Sequence, residues 1–254
     1  MKLILTGTGT SQGSPVINCQ CEVCRSSDPH DHRLRTSAVL MHNDTTIAID
    51  VSPDFRQQML RHNINHIDAV LITHEHHDHI GGMDDLRPYF FQRKKPIDVF
   101  AGTPAIQAIR QKYAYAFEKN PYPGAPQFNL IRLPSKPFII KSLKIETIFA
   151  MHGKMPVWGF RFGKTAYLTD IKTINKQEKS KLKGLDNLIV NAIHQEQHHS
   201  HLSLDEALQL IQELSPQKAF LTHISHKMGT CQSVKKKLPS NVFLGYDGLT
   251  IESD

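Results

Sequence analysis

No stretch of the sequence approaches the roughly 20 apolar residues that a membrane-spanning helix needs, so a helical membrane protein is not expected. Cysteine is scarce: four in 254 residues is too few for the disulfide framework of a small secreted domain. The glycine-rich stretch 7–15 lacks the Gly-Lys-Ser/Thr that closes a Walker A loop, and its glycines at 7, 9 and 13 miss the dinucleotide spacing. It reads as a tight polar loop whose small residues let backbone approach a site. No basic run is interleaved with aromatics and no helix-turn-helix pattern is present, so nucleic acid is not an expected partner. The first seven residues run directly into a strand-like segment, with neither an apolar leader nor a small-residue cleavage site, which points to the cytoplasm.

The chain does carry an excess of positive charge, formally +6. Its lysine groups, 235–237 and 179/181/183, read as solvated faces, but the overall balance suits a small anionic substrate. The densest chemistry lies in Leu71–Gly82. There His74, His76, Asp78 and His79 have the spacing H-x-H-x-D-H at the end of an apolar run. Imidazole and carboxylate suit zinc, iron or manganese, and so many polar rings inside a fold would be costly without a partner. Cys19, Cys21 and Cys24 form C-x-C-x2-C. Three thiols this close cannot all pair usefully with one another, and zinc ligation in a reducing compartment is the better reading.

Along the chain, strands are expected at 3–6, 37–40, 45–51, 69–73, 97–101, 138–140, 143–150, 158–162, 165–169, 188–193, 219–222, 242–244 and 249–251. Helices are expected at 53–63, 84–91, 104–117 and 204–214. In the first, Phe55, Met59 and Leu60 share a side; the last begins at Ser203 with acidic Asp205 and Glu206. Residues 118–137, with prolines at 121, 123, 126, 134 and 137, read as an extended or looped excursion. Apolar strands repeatedly end in His or Asp, at His74, His152, Asp170 and His223, a common way to build a site on a rigid sheet. Mixed strands and helices without a linker suggest two sheets with helices outside, in a single domain, 1–254.

The segment Thr73–Gly82 resembles the signature of the metallo-beta-lactamase-fold hydrolases. Within them the chain is most similar to the phosphoribosyl 1,2-cyclic phosphate phosphodiesterases of phosphonate breakdown and their relatives. The matching pieces are 5–13, the cysteine triplet 19–24, His199–Ser203, Leu221–His226 and Gly245–Leu249. The resemblance implies an α+β fold, the four-layer αββα sandwich. It implies one metal on His74, His76 and His152, a second on Asp78, His79 and His223, and Asp170 bridging both. Manganese or zinc is expected there, ligand chemistry alone not choosing between them. Asp78 also orients the attacking water, and His201 protonates the leaving oxygen, a role open to an imidazole near neutral pH. Cys19, Cys21, Cys24 and His226 are implied to hold one structural zinc, with Cys231 as an alternative fourth ligand or, more simply, a buried thiol. His77 is expected to be a solvated loop residue, and His194 either a partner to a ligand or a satisfied core residue. A homodimer is common among such relatives.

The expected activity is therefore metal-dependent hydrolysis of a small cyclic phosphodiester. A tRNA 3′-processing nuclease of the same fold would need a lysine-rich arm, and 118–137 is short and lysine-poor. A thioester hydrolase would share the metal ligands but leave the cysteine triplet and His201 without a role. Some related sequences carry lipoate or cofactor-synthesis labels, yet no ATP-binding loop supports acyl-ligase chemistry. A non-catalytic metal-binding relative would be expected to have lost Asp78 or Asp170, and both are present.

Overall fold

Short runs of Ile, Val, Leu and Phe recur through the chain, and in the computed structural model, which describes residues 1–253, they pair into two seven-stranded sheets. The strands are β1 Lys2–Gly7, β2 Ser37–His42, β3 Thr45–Ile49, β4 Ala69–Leu71, β5 Ile97–Ala101, β6 Phe128–Arg132, β7 Phe138–Ile140, β8 Leu143–His152, β9 Met155–Phe162, β10 Thr165–Leu168, β11 Asn187–Asn191, β12 Lys218–Thr222, β13 Val242–Leu244 and β14 Thr250–Glu252. The first sheet has the order β14-β1-β2-β3-β4-β5-β6 and the second β13-β12-β11-β10-β9-β8-β7. Each sheet is antiparallel on one side and parallel on the other, from β3 to β6 and from β10 to β13.

The helices are α1 Phe55–Arg61, α2 His77–Ile80, α3 Arg87–Arg93, α4 Thr103–Lys112, α5 Lys176–Ser180, α6 Leu204–Leu214 and α7 Cys231–Lys235. Side-chain alternation along the strands sorts the apolar residues into three layers of core. Leu3, Leu40, Ile47, Ile49, Leu71, Phe160 and Ile189 meet between the sheets. Val39, Ala48 and Val70 face α1, α3 and α4, while Ala166, Leu188 and Val190 face α6 and α7. Central strands are buried on both faces, as parallel strands covered by helices must be. The architecture is the αββα sandwich, and no helix of the described residues is long and apolar enough to cross a membrane.

Several elements differ from the sequence reading. The excursion 118–137 contains β6, which adds to β5 in parallel between Pro126 and Pro134. An edge strand with so few buried residues leaves little periodic signal. The first helix covers only Phe55–Arg61, and Leu60 is 61% exposed rather than on the buried side with Phe55 and Met59. Residues 103–117 divide into α4 and a short 3-10 turn, and 83–93 into a 3-10 turn and α3. β9 starts at Met155, because the tight turn at Gly153 and Lys154 pairs Met155 with His152. The last strand, β14, lies at Thr250–Glu252 rather than 249–251 and pairs with β1 at the edge of the first sheet.

Candidate metal centre

The parallel strands of both sheets point their C-terminal ends to one edge of the sandwich, and the sequence places His or Asp just beyond them. Thr73 and His74 follow β4, Asp170 follows β10, His223 follows β12, and His152 is the last residue of β8. Asp170 and His223 adopt left-handed backbone with φ of 57° and 54°, as does Asp50 after β3 with 60°. Such conformations are costly for residues other than glycine, and here they turn each side chain sharply off its strand toward a common point. His77–Ile80 form a single helical turn that carries Asp78 and His79, and His77 opens that turn rather than lying on a loop as expected. That turn lies against Ser52, where a Cβ on Gly82 would come within 2.1 Å of the Ser52 carbonyl oxygen; only glycine allows the approach.

All seven residues expected in the centre converge. His74, His76 and His152 form one group whose ligand atoms lie within 4.8 Å of one another, and Asp78, His79 and His223 form another. Asp170 lies between them. One of its oxygens is 3.3 Å from His79 Nε2 and 3.2 Å from His223 Nδ1, and the other is 3.9 Å from His74 Nε2. His79 Nε2 is buried and has no hydrogen-bond partner, although Asp78 and Asp170 oxygens are each 3.3 Å away. Apart from His74 Nε2 and His76 Nδ1, which stand 3.0 Å apart, the carboxylate oxygens and His79 Nε2 converge without a hydrogen bond between them, which fits a shared cation better than a hydrogen-bond network. The electrostatics agree. Burial opposes charge on both His79 and Asp170. Nonetheless Asp170, Asp50 and Asp78 hold His79 well above the ordinary imidazole range, and His223 and His79 hold Asp170 well below the usual carboxylate range. This buried group of carboxylates calls for positive charge at its centre.

Around these residues lies a layer that the sequence reading missed. Asp50 accepts hydrogen bonds from the Thr73 backbone N–H at 2.8 Å and the Thr73 hydroxyl at 2.9 Å, and stands 2.7 Å from His79 Nδ1. The rule of apolar strands ending in Asp, applied to Ile47–Asp50, would have found it. His152 Nδ1–H donates to the Ser200 carbonyl at 2.8 Å, and the Thr36 hydroxyl is 3.1 Å from His223 Nδ1. These contacts fix ring orientation and leave the other nitrogen of His79 and of His152 for the centre.

His201 packs over His223, with ring centroids 4.9 Å apart, and beside His152 at 4.3 Å. Its Nδ1 is buried, unpartnered and 3.7 Å from Asp170. Burial pushes this imidazole down to about 2, so the ring stands neutral here rather than near the ordinary value assumed from sequence. His198 Nδ1 accepts from the Ser200 and His201 backbone N–H groups at 3.3 Å and shapes that loop. His77 is exposed, turned away toward Lys112. His194 is half-buried, and its Nδ1 has no partner, so it is not a satisfied core residue.

The second cluster also assembles. His226 Nδ1 lies 3.3, 3.4 and 3.6 Å from the sulfurs of Cys19, Cys21 and Cys24. The backbone at Cys24 draws the Cys21 thiol down to about 6, whereas burial pushes Cys24 up to about 11. Cys231 lies apart, buried in the α6–α7 core, with its backbone N–H donating to Asp31. It is not a fourth member of the cluster.

The sequence matches the family described as a beta-lactamase superfamily domain over residues 45–224. A Porphyromonas gingivalis protein named octanoyltransferase is 41% identical over 252 residues, covering 98% of this chain and 51% of that protein. The chain thus spans about half the length of the curated relatives it matches. Among solved structures, a diphosphatase from the PhnP family superposes with a TM-score of 0.93 at 34% identity, covering 100% of this chain and 98% of the other. Zinc-bound PqqB from Methylobacterium extorquens superposes with a TM-score of 0.81 at 15% identity, over the full length of both chains, a likeness of fold alone.

Proposed function

This chain belongs to the beta-lactamase superfamily and, within it, to the PhnP family, and on that premise we propose that it is a binuclear metal-dependent phosphodiesterase whose substrate is a small cyclic phosphodiester such as phosphoribosyl 1,2-cyclic phosphate. The observation that carries this reading is the convergence of two three-residue groups on either side of Asp170. His74, His76 and His152 would hold one divalent cation, Asp78, His79 and His223 a second, and Asp170 would serve both. Two manganese or zinc ions bound there would supply Lewis-acid charge for the phosphoryl oxygens and acidify an attacking water.

The chain's own residues do the rest. The buried Asp78 carboxylate orients the water for in-line attack. His201, buried and unpartnered at Nδ1, faces the leaving oxygen, and the anionic ester favours the protonated ring, so that the imidazolium formed on substrate binding gives its proton to that oxygen and returns to neutral. In a 1,2-cyclic phosphate the leaving oxygen stays on the sugar, so the product is a ring-opened phosphate monoester. Cys19, Cys21, Cys24 and His226 would hold a structural zinc three residues past His223, in a reducing compartment such as the cytoplasm.

A second reading follows from the PhnP-family diphosphatase. A diphosphate diester offers the same charge at phosphorus and differs in its leaving group. Octanoyl transfer is not favoured: the relative so named is about twice the matched length, and the seven converging side chains include no thiol or amine nucleophile. The deciding experiment strips the protein, reloads it with manganese or zinc, and compares ribose 1,2-cyclic phosphate, 2′,3′-cyclic nucleotides, a dinucleotide diphosphate, bis-p-nitrophenyl phosphate and a glutathione thioester. Metal-dependent turnover strongest on a cyclic phosphate supports the proposal. Preference for the diphosphate selects the second reading, and turnover of the thioester alone sinks both.

A further inference from the structure

A cavity of about 520 Å³ opens between α1, which contributes Gln57 and Arg61, and the loops that carry Ser14, Arg33 and Asp247. None of the seven residues that converge at the metal centre lines it, and neither does His201. Of the 30 lysines and arginines in the chain, Arg33 alone is buried, at 4% exposure. Its Nη1 donates to the Thr8 hydroxyl at 2.8 Å and to the Gly245 carbonyl. Nε and Nη2 carry three further N–H groups. Among the described residues these have no acceptor, and no carboxylate forms an ion pair with Arg33. Asp247 lines the same cavity, but its oxygens are taken by the Thr8 N–H and hydroxyl and by the Leu34 N–H. A buried charge left unpaired is costly, and the Nε–Nη2 edge is the one that grips two oxygens of an anion at once.

Ser14 supplies a second, independent sign. It is 6% exposed, lines the cavity, and its hydroxyl has no partner. An antiparallel bridge pairs it with Arg33, so the two side chains stand on the same face. Arg61 stands at the rim, exposed, with Nη1 3.8 Å from Asp247. Two guanidiniums thus face one carboxylate. The cavities beside Met1 and Asn187 and between α1 and α3 have no buried cation in their walls.

We propose that this cavity is a second anion site, separate from the metal centre, for a phosphate group that is either free or the end of a sugar ester. The Arg33 fork would take two oxygens and the Ser14 hydroxyl a third, which suits a tetrahedral phosphate better than a carboxylate with two oxygens. The cavity has room beyond a phosphate, and the exposed His32 and Gln57 offer polar groups to sugar hydroxyls.

Equilibrium dialysis of labelled phosphate and of labelled ribose 5-phosphate against the metal-loaded protein counts the sites. An anion taken by the metal centre is common to wild type and variants, since no substituted residue belongs to that centre. Wild type should bind one equivalent more than Arg61→Glu, which turns one of the two cations into an anion. Ser14→Ala removes only an unpartnered hydroxyl and should weaken that equivalent about tenfold. Tighter binding of ribose 5-phosphate assigns the site to an ester, and equal binding assigns it to the free ion. Equal stoichiometry in wild type and Arg61→Glu, or an extra equivalent that Ser14→Ala leaves untouched, overturns the proposal.

Discussion

Asp50 shows how much of this site is decided by side chains that never enter it. Its carboxylate holds His79 Nδ1 at 2.7 Å and Thr73 by two hydrogen bonds, so it sets the direction of one ring and the start of the metal-binding loop together. Asp50→Asn should lower metal affinity by about 10–100-fold, the usual effect of losing such a partner, with the fold retained. Asp78→Ala, which removes a group at the centre, should cost more and abolish turnover; a calorimetric metal titration beside a rate assay separates the two, and full activity in Asp78→Ala would sink the two-metal assignment. Asp247 acts farther away. It accepts from the Thr8 backbone and hydroxyl and from the Leu34 backbone, tying the glycine-rich loop to the chain's end. Burial raises it from 3.8 to about 6. Because the folded state holds this proton more tightly than the unfolded chain, its contribution to stability is greatest below about pH 4 and declines as pH rises to about 6. Asp247→Asn cannot ionise. Denaturant midpoints of both proteins at pH 4 and pH 7 should therefore shift in favour of the variant by up to about 3 kcal/mol across that range. A pH-independent difference would remove the buried-charge account. Asp50 was legible only as a strand-ending Asp, not as the partner of Thr73 and His79, and Asp247 was not legible at all, because each acts on residues more than 20 positions away.

At the scale of elements, two local devices support the centre from outside. Helix α6 opens with a capping box in which Ser203 accepts from the Glu206 N–H and Glu206 accepts from the Ser203 N–H. The helix start was legible because Ser203 precedes an acidic first turn and an apolar face. Ser203→Ala should cost about 1 kcal/mol in urea unfolding. The cap sits two residues past His201, so the variant should also slow turnover more than it lowers metal content. The cysteine cluster pins residues 19–24 to the segment just after His223. Cys21→Ser should release about one zinc per chain and lower the thermal midpoint, with metal content at the hydrolytic centre falling less; unchanged zinc and midpoint would dissolve the Cys3His site. Its cysteines were legible from spacing, and His226 only through family likeness, since nothing local links a histidine to thiols 200 residues earlier. Strand β6 was not legible at all. Its place is set by the exposed edge of β5, which is a property of the assembled sheet and not of 128–132.

The whole molecule is two similar halves facing each other, and the centre exists only where their strand ends meet. His74, His76, Asp78 and His79 come from the first sheet's side, whereas His152, Asp170 and His223 come from the second. Sequence displayed the ingredients as strand-ending His and Asp; it could not display the left-handed turns at Asp170 and His223 that aim them. Metals bound at this seam would bridge the halves, and a ligand that binds only the folded state stabilises it by mass action. At a hundredfold excess over Kd that is about 2.7 kcal/mol per site, or about 5–10 °C in a chain of this size. Removing metal should do the reverse and do it globally, because Asp50, Asp78 and Asp170 would then share a buried space with His79 and His223 alone to balance three carboxylates. Chelated protein should melt lower by at least that amount, and the loss should shrink in Asp170→Asn, where one of the carboxylates needing a cation is gone. A midpoint that ignores chelation would mean that the converging side chains hold no metal and that the halves are joined by their apolar layer alone.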